Sequence, residues 1–205
     1  MDEYPEDRSG FLLDVNERQV LADYEFLLAK NRVMEKARLL LENTGRLLTG
    51  YLQHGAPDLP AGVSWQACKV SRGENYRGLP YLVLDCPRAF DKEDIFTYRT
   101  MLWWGHEFST TLHLQGTYLD LYRKRLSSSL ADLSDYYVGC GDSPWEYHFG
   151  KTNYQPVNTS DNTFLKTVSE GSFLKLSRRW ALSEWENMPG HTLDTWKSLS
   201  KIVFE

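Results

Sequence analysis

The residues best equipped for chemistry lie in one stretch, Ile95 to Gln115. Glu107, Ser109, Thr111, His113 and Gln115 alternate there with Phe108, Thr110, Leu112 and Leu114, the two-residue period of a strand. His113 is the member that titrates near neutrality. Gly105-His106 reads as a two-residue turn with Gly in the first position, as a type II′ turn requires. That turn pairs Trp104 with Glu107 and brings Tyr98 beside His113. One face then carries Phe96, Tyr98, Thr100, Leu102 and Trp104 against Glu107, Ser109, Thr111, His113 and Gln115. An aromatic wall facing hydrogen-bonding groups is what a small-ligand pocket needs. His113 is the candidate general acid or base, with Glu107 or Tyr98 to orient it. Trp104, Tyr98, His113 and Thr111 are the candidate ligand-binding residues. A half-exposed sheet face of ordinary composition accounts for the same alternation without a pocket.

Cations for an anionic group come from Arg72 and Arg77, in a loop from Arg72 to Gly78, with Arg88 beyond it. Arg99 falls on the opposite face of the hairpin, among Ile95, Met101, Trp103, Phe108, Leu112 and Leu114. A buried arginine needs an ionic partner, and Asp85, Glu42 and Asp120 are the candidates. The pair Tyr136-Tyr137 and the run from Trp145 to Phe149 suit a lid, a partner-binding surface or a plug for the sheet end.

Other signatures fail on spacing. Gly150-Lys151-Thr152 resembles a phosphate-binding loop, but position 145, where that motif needs Gly, is Trp145. His106-Glu107 lacks the second His of a zinc protease, since position 110 is Thr110. There is no Gly-x-Ser-x-Gly elbow, and Cys68, Cys86 and Cys140 form no Cys-x-x-Cys pair. Neither a metal nor a cofactor is expected.

The elements that must hold these residues follow from periodicity. Residues 14–53 carry a helical stripe through Val20, Leu27, Met34, Leu41 and Leu48, with Asp14 or Asn16 as cap. One straight helix of that length would run about 60 Å, against a radius of gyration near 17 Å for a compact domain of this size. A bend at Asn31 or Gly45 resolves the conflict, and a helical dimer seam is the alternative. Trp65–Arg72 and Tyr81–Cys86 read as strands, followed by the hairpin. Thr117 and Asp120 open a helix through Leu133 with the pattern of a capping box. Residues 134–171 read as short strands or long loops. A strand at Phe173–Arg178, a short helix at Arg179–Asn187 and a last helix capped by Thr192 complete the chain. Short links exclude a parallel middle sheet. The expected fold is α+β: an N-terminal helical segment and later helices packed on one face of a mainly antiparallel sheet. Residues 1–12 read as a flexible arm and 13–205 as a single domain.

The totals limit the functions. The 205 residues carry a net charge of −5, with basic residues dispersed, which disfavours nucleic acid. The groups Arg123-Lys124-Arg125 and Arg178-Arg179 read as solvated faces. No long apolar run or signal sequence is present, so no membrane partner is expected. Three unpaired thiols point to a cytoplasmic location. Two functions remain: a non-enzymatic binding or scaffold protein that self-associates through its N-terminal helices, and an enzyme or receptor for a small polar or anionic molecule using the face around His113.

Overall fold

The computed structural model describes residues 10–55, 59–160 and 162–204. The first nine residues of the expected arm, and part of the Gly55–Gly62 loop, lie outside them. The chain divides into two compact units, Met1–Lys36 and Ala37–Glu205.

The first unit is helical. Helix α1 spans Val15–Ala22 and opens on a complete capping box: the Asp14 carboxylate accepts from Glu17 N, and Glu17 Oε2 accepts from Asp14 N, both at 2.8 Å. Asp14 is therefore the cap that the sequence implied. The helix stops at Asp23, whose φ and ψ of −88° and 78° are not helical. Asp23 Oδ1 then accepts from Phe26 N at 2.9 Å and starts α2, Tyr24–Gly55. The bend thus falls at Asp23, where a short acceptor side chain competes with the helical backbone. Asn31 and Gly45 are ordinary positions within α2.

In the second unit, α2 from Ala37 onward supplies buried Ala37, Leu41, Thr44, Leu48 and Leu52. It packs closely on the sheet at Gly45, where a Cβ would stand 3.3 Å from Leu84 Cδ1. The sheet has seven strands in the order β1-β2-β3-β4-β7-β5-β6, and every paired neighbour is antiparallel. The strands are β1 Lys69–Tyr76, β2 Leu79–Phe90, β3 Ile95–Trp103, β4 Glu107–Gln115, β5 Tyr137–Gly139, β6 Tyr154–Pro156 and β7 Phe173–Ala181. Helices α3 Thr117–Ser128, α4 Thr163–Glu170 and α5 Met188–Phe204 complete the unit. This is the expected α+β architecture.

Several local expectations are corrected. Strand β1 runs on to Tyr76, and the loop shrinks to Arg77-Gly78, both at positive φ (52° and 83°), the hairpin conformation that glycine favours. Thr117 does not cap α3; its N–H donates instead to Asp94 Oδ1 at 2.7 Å. Pro189 and Gly190 sit inside the first turn of α5, where proline costs no hydrogen bond. Thr192 is therefore an interior helix residue and no cap. Arg123 and Arg125 do not merely face solvent. They donate to the carbonyls of Val168 and Gly171, and of Lys201 and Ile202, at the ends of α4 and α5. Cys68 and Cys86 form a disulfide and leave Cys140 free, which overturns the reading of three reduced thiols.

The decisive correction concerns the hairpin. The observed register pairs Trp103 with Glu107, Arg99 with Thr111 and Thr97 with His113. The loop is therefore Trp104-Gly105-His106, three residues with Gly105 at φ +74°. One residue of slip moves every side chain of a strand to the other face. Tyr98, Phe96 and Leu102 accordingly share the helix side with Leu112, Leu114 and Phe108. There Tyr98 is buried, donates to Thr192 O at 2.7 Å and lies 5.1 Å from the Trp196 ring.

Candidate functional site

The register gathers the polar residues of five strands on the face away from α5. One row across the sheet runs Arg88, Thr97, His113, Lys175. The next runs Asp85, Arg99, Thr111, Ser177, Tyr137. Asp85 and Arg88 share this face because the strand takes an irregular step between them. Thr97, Thr111, His113, Lys175 and Ser177 are all buried.

What buries them is the segment between β5 and β6, Cys140 to Asn153. Its aromatic run, Trp145 to Phe149, lies over the polar face, which makes it a cover for that face. Tyr76 anchors it: the hydroxyl accepts from Tyr147 N at 2.7 Å and His148 N at 3.0 Å, and donates to Glu146 Oε2 at 3.0 Å. Lys175 Nζ donates to the carbonyls of Ser143 and Glu146. Asn153 Nδ2 donates to the carbonyls of Glu146 and His148.

Beneath the cover Arg99 and Lys175 are held by named partners. Arg99 meets Asp85 in a two-pronged ion pair, Nε to Oδ1 at 2.7 Å and Nη2 to Oδ2 at 2.8 Å. Asp85 is thus the partner the sequence required, although the pair sits under a loop and not under helices. The Arg99 guanidinium also lies 4.7 Å from the Tyr147 ring centre, and Lys175 Nζ lies 5.1–5.4 Å from the rings of Tyr147, Tyr154 and Phe173. Burial pulls Lys175 down to about 8 from its ordinary value.

His113 Nδ1 is 3.2 Å from Tyr147 Oη. Burial, with the charges of Lys175 and Arg99, lowers its pKa to about 3, so it stays neutral at physiological pH. A base whose conjugate acid is that strong gives little drive to proton transfer near pH 7. His113 is therefore a poor general base in this setting. Burial likewise raises the Cys140 thiol and keeps it protonated, the opposite of an activated nucleophile. Side-chain atoms on this face, among them Arg88 Nε, Trp103 Nε1, His113 Nε2 and Gln115 Oε1, are buried without a hydrogen-bond partner.

The polar face opens at the hairpin tip into a cavity of about 310 Å³. Trp103 forms its floor, with the His106 ring stacked on it at 3.6 Å and 10°. Arg77, Arg179 and His148 reach the cavity from the β1–β2 turn, β7 and the cover. Each arginine has an acidic neighbour at 3.2 Å: Glu146 for Arg77 and Glu107 for Arg179. Burial and the nearby Arg77 charge lower the His148 pKa, which favours a neutral ring.

The expected site residues therefore separate. Glu107 and Arg77 meet at this cavity, where Trp103 takes the place expected of Trp104. Thr111 and His113 lie deep under the cover, Thr111 Oγ1 being 2.7 Å from Ser177 Oγ. Tyr98 is on the other face. Arg72 pairs with Leu82, which places it on the helix side and away from Arg77 and Arg88. The sequence reading missed Trp103, His106, His148 and Arg179. Arg179 falls on the face of Lys175 and Ser177 only once β7 is extended past Arg178. Among the described residues no group of three or more His, Cys, Asp or Glu is placed to hold a metal, and no helix is long and apolar enough to cross a membrane. Comparison with models of protein families, with curated proteins and with solved structures gave no match.

Proposed function

We propose that this protein binds a small anionic molecule with a flat apolar part in the cavity at the hairpin tip, as a receptor and not as a catalyst. The observation that carries the reading is the convergence of Arg77, Arg179 and His148 on an aromatic floor made by Trp103 and His106. The two Arg–Glu pairs are partly exposed, and pairs of that kind contribute about 1 kcal/mol or less. An incoming carboxylate or phosphate can replace either glutamate and gain the fork geometry of a guanidinium. The stacked Trp103–His106 pair offers the flat surface for the rest of the molecule. His113 and Cys140 are neutral, and the Lys175 ammonium is engaged by the Ser143 and Glu146 carbonyls, which favours binding over turnover. A closed Cys68–Cys86 bond fits an oxidising compartment better than the cytoplasm.

The test is a thermal-shift screen of small aromatic and aliphatic carboxylates and phosphates, repeated on Arg77→Ala/Arg179→Ala. A ligand at 100 times its Kd stabilises by about 2.7 kcal/mol, which raises Tm by roughly 5–11 °C for a chain of this size. The double variant should lose that rise while keeping its own Tm. A panel that leaves the wild-type Tm unmoved at millimolar concentration, or a rise that survives in the double variant, ends the proposal.

A further inference from the structure

The first unit shows large apolar side chains that its own helices leave in solvent. Val20 and Leu21 on α1, and Tyr24, Leu27 and Leu28 at the start of α2, are 47–73% exposed. With Phe11, Leu12, Val15 and Phe26, also exposed, they form a run of large apolar side chains in solvent, and each aromatic one among them alone carries about 150–250 Å² to bury. Surfaces on monomers seldom exceed a few hundred Å² of contiguous apolar area, and a standard interface takes about 800 Å² from each partner.

The charges of the same unit say what covers it. Residues 14–25 hold four acids, Asp14, Glu17, Asp23 and Glu25, against one base, Arg18. Residues 30–36 hold three bases, Lys30, Arg32 and Lys36, against one acid, Glu35. The unit is acidic at its start and basic at its end. Two copies laid antiparallel set the acidic part of each against the basic part of the other. Laid parallel, they set like charges together. A membrane surface is the poorer match, because interfacial helices carry Lys and Arg along the polar side, and here the most apolar stretch is the acidic one.

The helical spacing narrows the contact. The seven-residue series Val20, Leu27, Met34, Leu41, Leu48 is not free along its length: Leu41 and Leu48 are buried in the second unit, and Met34 is buried too. Only its first part, Val20 and Leu27, is exposed. We infer that the protein self-associates through residues 15–28, pairing antiparallel with a second copy of the same chain and with the acidic start of each opposite the basic end of the other.

The full chain is examined by multi-angle light scattering at about 100 μM, at which a Kd of micromolar order gives a dimer. Salt is set near 0.01 M and near 1 M, where the Debye length falls from about 30 Å to about 3 Å. A dimer whose Kd rises at least tenfold at high salt is expected. Leu27→Asp/Leu28→Asp should be monomeric with an unchanged far-UV spectrum, since both positions are already in solvent. Glu25→Lys should weaken the dimer at low salt and reduce the salt dependence. A monomeric wild type, a dimer that survives Leu27→Asp/Leu28→Asp, or a dimer that tightens with salt overturns the inference. So does a wild type that stays monomeric yet binds neutral phosphatidylcholine vesicles.

Discussion

The two faces of the seven-stranded sheet solve burial differently. On the helix side Phe96, Leu102, Phe108, Leu112, Leu114, Leu174 and Leu176 are fully packed, and the few polar groups there, such as Tyr98 and Thr100, bond to α5. Transfer of apolar area from water, at about 25 cal/mol per Å², stabilises that side. On the loop side Asp85, Arg99, Lys175 and the neutral His113 are withdrawn from water, and Asp85, Arg99 and Lys175 are held by named partners. Desolvating ions costs several kcal/mol, so that face has little net margin and depends on the pairing of its charges. The lesson is that one sheet can hold a side that tolerates changes of shape and a side that tolerates none of charge.

The largest effects should separate the faces by whether a second substitution repairs the first. Trp196→Ala, under Tyr98, should cost about 3–5 kcal/mol of unfolding free energy, with no single partner change restoring it. Asp85→Ala should cost a similar 3–5 kcal/mol by leaving Arg99 charged and unpaired. Asp85→Leu/Arg99→Met should recover most of that loss in the same urea titration. If the double variant is as unstable as Asp85→Ala, the loop side is held by shape and the contrast fails.

The pH dependence sharpens the contrast. His113 is lowered in the folded state to about 3 from 6.5, so the unfolded chain binds the extra proton between those values. The His113 contribution is complete above pH 6.5 and is lost as pH falls towards 3, at up to about 1.4 kcal/mol per pH unit. Lys175, lowered to about 8 from 10.5, contributes likewise: its share is complete above pH 10.5 and is lost as pH falls through 8. His113→Gln should flatten the acid limb relative to wild type, and Lys175→Met the limb between pH 8 and 10.5. Parallel stability curves for variant and wild type would remove both groups from the account. The smallest effect is at the rim. Arg77→Ala should change stability by less than about 1 kcal/mol, because Arg77 and Glu146 are both partly exposed. A larger loss would make the cavity mouth part of the scaffold.

Elements with a sustained period were legible. The alternation along β3 and β4 and the stripe along α2 named those segments correctly, because each buries a face at a fixed spacing. The hairpin register was not read correctly, although the signal was present. A three-residue loop sets Leu102 beside Phe108, Tyr98 beside Leu112 and Phe96 beside Leu114, one coherent apolar side. The two-residue turn mixes those residues with Ser109, Thr111 and His113. Turn chemistry at Gly105 outweighed this pattern in the reading, while in the fold the burial of a whole face outweighs one turn. Helix α4, and the path of residues 140–153 over the sheet, had no period to announce them. Their positions follow from contacts with Tyr76 and Lys175, which are distant in sequence.

Tyr76, Lys175 and Asn153 hold the 140–153 segment mainly by its amides and carbonyls. Grip on the main chain leaves outward side chains out of the bargain. Exposed positions such as Asp142 and Thr152 are thus open to mutation without altering the segment's course. A loop anchored in that way is a natural place for descendants of this sequence to vary what they recognise while inheriting one frame, and a ready site for randomised libraries.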